Sequence, residues 1–198
     1  MFYMKVAAVF FADGFEDVEA LTPVDYLRRA GVQVITVGVK GKPYNDSMIV
    51  TSSHDVRIIT DTNLETYLRQ YGEQTPDCVL CPGGSRGAEN LSECEELLAH
   101  LEKAWNNNKI VAAICASPAV VLGKTIIPHG KKWTCYPGMD TESNPEYVGM
   151  YVNKTFVTDG NLVTARGAGA SEEFAMELVR LLTDEASAQK IKTGTLQR

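Results

Sequence analysis

The stretch Ile110-Val111-Ala112-Ala113-Ile114-Cys115-Ala116-Ser117-Pro118 constrains the fold of this 198-residue chain more than any other. Five small or β-branched apolar residues in a row show no polar alternation, so they read as a strand buried on both faces. Such strands belong to parallel sheets covered by helices on each side. Ser117-Pro118 then opens a short apolar helix, with the proline in the first turn, where its missing N–H costs no helical bond. Cys115 therefore falls on the turn between strand and helix, its sulfur beside the helix's unpaired N–H groups. This is a nucleophile elbow built with sulfur in place of oxygen. It predicts a cysteine-dependent enzyme or a thiol sensor.

The rest of the chain alternates in the same way. Strands are expected over 5–11, 33–39, 78–82 and 110–114. Helices are expected over 16–30, with Val18, Leu21, Val24 and Leu27 at helical spacing, over 64–71, and over 92–108, whose Ser92-Glu93-Cys94-Glu95 start has the form of a capping box. Residues 49–59 hold shorter extended pieces around Ser52-Ser53. Later, 151–158 and 162–165 flank Asp159-Gly160-Asn161, an antiparallel hairpin signal. An amphipathic helix follows over 171–182, turning Phe174, Leu178, Leu181 and Leu182 inward, and a short helix is expected after Thr183. Strands followed by helices at this rhythm predict an α/β domain with a mostly parallel sheet, and no linker or repeat divides 1–198. Ligands of such sheets bind beyond the carboxyl ends of the strands. Four segments are expected to meet there: the loop after the first strand, the turn after Pro82, Cys115, and the loop carrying Arg166.

Composition excludes several classes of function. A net charge of −6 without a basic stripe argues against nucleic acid as a partner. The apolar start, residues 6–11, runs into Asp13-Gly14-Phe15-Glu16-Asp17 with no cleavage site, so it reads as a first strand and not a signal peptide. No apolar run approaches the ~18 residues a membrane helix needs, and a soluble, cytoplasmic protein is expected. Five cysteines fit poorly with a secreted disulfide framework. Cys78-Val79-Leu80-Cys81 has the form of a metal or redox CxxC, but strand residues three apart point to opposite faces, so packing explains both sulfurs. No second pair completes a zinc site, and no metal or cofactor is expected. No phosphate-binding glycine motif occurs.

The chemistry is expected to centre on Cys115. A thiol with a pKa of ~8.5 is only about 3% ionised at neutral pH, and a helix terminus lowers that value by about 1.5 units at most. A reactive sulfur needs direct hydrogen bonds as well. Glu19 is the candidate donor: it lies close to the apolar face of its helix, whereas Glu16 and Asp17 read as first-turn carboxylates that suit the helix dipole. An ionised Glu19 would repel the thiolate, a protonated one would donate to it, and the two groups would then share one proton. Pro82-Gly83-Gly84 lets backbone N–H groups approach a ligand, forming an oxyanion hole with the amide of Ala116, or is simply a tight turn. Of the three histidines, His100 reads as a surface residue in mid-helix, while His54 and His129 occupy loops.

Several motifs then fall in order along nearly the whole chain: Gly14-Phe15-Glu16-Asp17-Val18-Glu19, Pro23-Val24-Asp25, Arg28-Arg29-Ala30-Gly31, Pro82-Gly83-Gly84, Gly87-Ala88-Glu89-Asn90-Leu91, the Cys115 segment and Arg166-Gly167-Ala168-Gly169. Together they resemble the ThiJ/PfpI superfamily, in the branch of its parkinsonism-associated and bacterial chaperone-like members. The resemblance implies a flavodoxin-like three-layer α/β/α sandwich and a homodimer. It also implies a cysteine readily oxidised to sulfinate beside a protonated glutamate, at positions Cys115 and Glu19, with Gly83, Gly84 and Ala116 supplying the surrounding backbone. The activities it implies are conversion of methylglyoxal to lactate without glutathione, repair of glycated proteins, and oxidative-stress sensing or chaperone action. Two departures stand out. Tyr136, before Pro137, takes the place where this branch often carries histidine, and His54 the place where an arginine commonly approaches from the partner subunit. Tyr136 and His54 are thus the candidates to replace that histidine, with Arg166 as a further accessory. The protease-like branch has histidine directly after its cysteine; Ala116 argues against peptidase or amidotransferase chemistry. The expected function is a cofactor-free cysteine enzyme acting on a small carbonyl substrate or a glycated protein, the alternative being a redox sensor or chaperone without turnover.

Overall fold

A computed structural model describes residues 4–39, 48–141 and 150–197. The strand–helix alternation read from the sequence is realised as β1 (Val6–Phe11), α1 (Asp17–Arg29), β2 (Gln33–Gly38), β3 (Ile49–Thr51), β4 (Arg57–Ile59), β5 (Thr62–Asn63), α2 (Leu64–Tyr71), β6 (Cys78–Cys81), α3 (Ser85–Ser92), α4 (Glu95–Asn106), β7 (Ile110–Ile114), α5 (Ser117–Val120), β8 (Phe156–Asp159), β9 (Leu162–Ala165), α6 (Ser171–Leu182) and α7 (Glu185–Thr195). Seven strands form one sheet in the order β5-β2-β1-β6-β7-β9-β8, parallel throughout except for the β8–β9 hairpin at its edge. Gly160, with φ of +67°, makes the turn of that hairpin, a conformation open to glycine without steric penalty. β3 and β4 pair antiparallel as a separate ribbon.

Alternate residues of each central strand feed two cores. Ala8, Phe10, Val79, Cys81, Val111 and Ala113 point to one side, under α2, α3, α4 and α5. Ala7, Val9, Cys78, Leu80, Ala112 and Ile114 point to the other, under α1, α6 and α7. Cys78 and Cys81 thus sit in different cores, as the strand period requires, and both are fully buried. The strand order reverses direction between β1 and β6, so the crevice beyond their carboxyl ends is where this topology places a ligand.

Four expectations need correction. The helix expected over 92–108 is two helices: Ser92 ends α3, its hydroxyl bonded back to the Glu89 carbonyl at 2.8 Å, and Cys94 precedes α4. The Ser92 capping box is therefore not formed. α3 itself was hidden behind the Gly-Gly signal, which marks its start and not an isolated turn. Val18 and Leu21 match the helical spacing but face outward, 47% and 38% exposed, because α1 buries Glu19, Ala20, Pro23, Val24, Tyr26 and Leu27 instead. His100 is not on the surface. It is 3% exposed, hydrogen-bonded to the Tyr67 hydroxyl at 2.9 Å, and burial lowers its pKa to about 4, which keeps the ring neutral.

Candidate active site

Cys115 sits between β7 and α5 with φ at +64°, a left-handed conformation that is costly for a residue with a side chain. Its own backbone holds it there. Its N–H donates to the Ala165 carbonyl at 2.9 Å, and its carbonyl accepts from the Tyr136 N–H at 2.8 Å. Next door, the fully buried Ser117 hydroxyl donates to the Pro82 carbonyl at 2.6 Å, tying the β7–α5 turn to the end of β6. The sulfur is partly exposed, whereas Cys78, Cys81 and Cys135 are buried. α5 spans only Ser117–Val120, so local N–H groups, not a long helix dipole, supply the positive field: those of Gly84 and Ala116 both favour the thiolate.

The glycines before α3 are demanded by this geometry. A side chain at Gly83 would begin 2.4 Å from Glu19 Oε2 and 2.5 Å from Cys115 Cβ. At Gly84, where φ is +87°, it would run into the Gly14 carbonyl. Glu16 N–H donates to the Gly83 carbonyl at 3.0 Å, which draws the start of α1 against the same turn.

Glu19 enters from α1 with 1% of its surface exposed. Burial raises its carboxyl from the ordinary range to about 7, against the opposing pull of Cys115 and the Gly83 backbone. Burial, and the charge of Glu19 when ionised, push the Cys115 thiol up to about 12. The two shifts describe one coupled pair: it loses one proton near neutral pH and keeps the second, because both groups cannot be charged side by side. Glu19 Oε2 is buried with no hydrogen-bond partner, an unfavourable place for a carboxylate oxygen. The sulfur is more exposed and has two backbone donors. This solvation favours the shared proton on Glu19 and the negative charge on sulfur, against the burial and the Glu19 charge that raise the thiol.

In front of the sulfur lies an open cleft of about 770 Å³. Gly84, Ala116, Tyr136 and His54 line it together with Cys115; Arg86 of α3 and Glu16 complete its rim. Glu19 and Gly83 are not among the residues that line it.

Residues 4–181 match the DJ-1/PfpI family model. The chain belongs to the DJ-1/PfpI family. It is 36% identical over 193 residues to protein dj-1beta of Drosophila melanogaster, covering 97% of each chain. It is 29% identical over 168 residues to a protein of Caenorhabditis elegans named glutathione-independent glyoxalase DJR-1.2, covering 84% of this chain and 82% of that one. Among solved structures it superposes on oxidized Toxoplasma gondii DJ-1 with a TM-score of 0.86 at 32% identity, covering 97% and 98% of the two chains.

Within this DJ-1/PfpI frame, Arg166 lies off the Cys115 cleft. It lines a neighbouring cavity of about 750 Å³ that shares only Tyr136 with it. His129 is not among the cleft residues either. Tyr136 is 53% exposed at the boundary between the two cavities. His54 stands at the tip of the β3–β4 ribbon, which is laced to the β1–α1 loop: Gly14 N–H donates to the Thr51 carbonyl and Ser53 N–H to the Phe15 carbonyl, each at 2.8 Å. The contact that sequence reasoning missed is between His54 Nδ1 and Asp17 Oδ2, 2.7 Å apart. No spacing signals it, because the partners are 37 residues apart and Asp17 serves equally well as a helix-start carboxylate. The ligand atoms of Glu16, Asp17 and His54 lie within 4.8 Å of one another, and His54 Nδ1 is engaged by Asp17 Oδ2 at 2.7 Å in a hydrogen-bonded pair. Among the described residues no helix is long and apolar enough to cross a membrane.

Proposed function

We propose that the chain is a cofactor-free cysteine enzyme that converts reactive dicarbonyls such as methylglyoxal to 2-hydroxy acids, or acts on the early adducts they form on proteins. The observation that carries this proposal is Cys115, strained at a positive φ on the cleft and paired with a buried carboxyl whose proton burial holds well above the ordinary carboxylate range. The sulfur adds to the aldehyde carbon to give a hemithioacetal. Glu19 moves the proton, and the N–H groups of Gly84 and Ala116 steady the negative oxygen that develops. The glyoxalase name of the Caenorhabditis elegans relative supports the substrate class. We further propose a second copy of this chain as its partner in solution.

Lactate formation from methylglyoxal, followed with wild type and Cys115→Ser, tests the proposal. Activity is expected in the wild type and a loss of about 10³-fold or more in the variant; equal rates overturn it. A second reading, a redox sensor or chaperone without turnover, draws support from the contrast among the cysteines. Cys115 is partly exposed and lines the open cleft, while Cys78, Cys81 and Cys135 are buried. The same assay separates the two: a wild type that makes no lactate yet oxidises first at Cys115 is a sensor.

A further inference from the structure

The Asp17–His54 pair has no part in forming the fold's cores. His54 keeps 66% of its side chain exposed, yet its Nδ1 is fixed by Asp17 Oδ2 at 2.7 Å and lies 3.2 Å from the Ser53 hydroxyl. The ribbon that carries it is bonded to the loop leading into α1, whose first residue is Asp17, so the ring is placed by backbone as well as by side chain. With Nδ1 engaged, Nε2 is the nitrogen left for a molecule in the cleft that Cys115 also lines. A base oriented by a carboxylate beside a nucleophile is the arrangement that proton transfer in covalent catalysis needs.

We propose that His54, oriented by Asp17, carries the proton for the substrate's second carbonyl, an assignment that rests on the dicarbonyl function above. The Cys115 thiolate forms the C–S bond at the aldehyde carbon, and the Glu19 proton goes to the new alkoxide. The Glu19 carboxylate then takes the hydrogen of that carbon. The freed electron pair forms a C=C bond while the ketone oxygen takes the His54 proton, leaving an enediol and a neutral imidazole. Glu19 returns its proton to the former ketone carbon. His54 recovers a proton from the hydroxyl on the sulfur-bearing carbon, whose oxygen becomes the thioester carbonyl. Water cleaves the C–S bond, the 2-hydroxy acid leaves, and the proton left on sulfur returns to Glu19. Each group ends as it began, and no oxidant or reductant is consumed.

The charges around His54 suit this task. Asp17 and Glu16 face it from the start of α1 and Asp55 follows it in the ribbon turn, while Arg86 of α3 is the cation on the cleft rim. The carboxylates prevail: the Asp17 hydrogen bond, then the Glu16 charge, raise the imidazole above its ordinary value. Tyr136, the other candidate, stands at the boundary between two cavities and has no carboxylate bonded to it among the described contacts.

The experiment is the pH dependence of kcat and KM for methylglyoxal in wild type, Asp17→Asn, His54→Gln and His54→Gly, the last with and without added imidazole. Because the protonated ring is required, wild-type activity falls as pH rises through the His54 pKa. Asp17→Asn removes the largest raising influence and is expected to move that alkaline limb to lower pH. His54→Gln is expected to abolish the limb and lower kcat by about 100-fold with little change in KM, and imidazole to restore part of the His54→Gly rate. Cys115 alkylation, which reports an intact elbow, should match wild type in all three. Active variants whose pH profiles overlay the wild type, or no rescue by imidazole, overturn the His54 assignment while the dicarbonyl function stands. A wild type without turnover overturns both.

Discussion

Glu19 is 1% exposed and one of its oxygens has no partner, while the neighbouring sulfur has two backbone donors and partial exposure. Those facts favour the sulfur for the pair's single negative charge, and they make the effect of one substitution decisive in sign. With the charge on sulfur, the first ionisation of the pair produces the thiolate, so Cys115 alkylation by iodoacetamide should already be rising below the ordinary thiol value of ~8.5. Glu19→Gln removes the carboxyl proton that stabilises the thiolate and leaves a half-buried thiol to ionise alone. Its midpoint is expected to move upward by at least about one unit, toward or beyond the ordinary thiol value of ~8.5. Were the charge on the carboxylate instead, the same substitution would relieve repulsion and move the midpoint down. A downward shift therefore refutes both the charge placement and the thiolate chemistry built on it.

At the scale of elements, the β6–α3 and β7–α5 turns form one device, and what the sequence revealed of it depends on how local each contact is. The apolar run 110–114 and the Ser-Pro pair specify the elbow with neighbouring residues alone, so β7, α5 and Cys115 were legible. Gly83 and Gly84 were legible as a close backbone approach, but not as the start of α3: two glycines read as a turn, and only the tertiary contact with Gly14 and Glu19 explains why they are needed. His100 read as a surface residue because its partner Tyr67 lies 33 residues away. The Ser117–Pro82 bond is likewise invisible in the sequence, and it is the buried staple between the two turns. Ser117→Ala leaves the Pro82 carbonyl buried and unpaired, so it is expected to destabilise the fold by about 1–3 kcal/mol in urea unfolding. It should also slow Cys115 alkylation, since the elbow loses its anchor. An unchanged unfolding midpoint would show that the turn is held by backbone contacts alone.

For the whole molecule, the placement of apolar surface bears on assembly. Val18 and Leu21 stand at helical spacing with Val24, yet both side chains lie outside while Glu19 between them turns inward to the sulfur. The adjoining β3–β4 ribbon adds Val56 and Ile59, 47% and 74% exposed. An isolated exposed leucine needs no explanation, but exposed apolar residues on one helix and on the ribbon bonded to its leading loop would fit a surface that is covered in solution. The proposed homodimer would supply the cover, since a two-fold contact would bring the same residues of each copy together. Leu21→Glu would place two carboxylates in such a contact, and is expected to convert a particle of twice the chain mass into a monomer by light scattering, with the unfolding midpoint of the monomer lowered. Since α1 also carries Asp17 and Glu19, the monomer should lose part of its Cys115 reactivity as well. A wild type that runs as a monomer at micromolar concentration would remove the dimer from the account, and the exposed residues of α1 would then be ordinary surface.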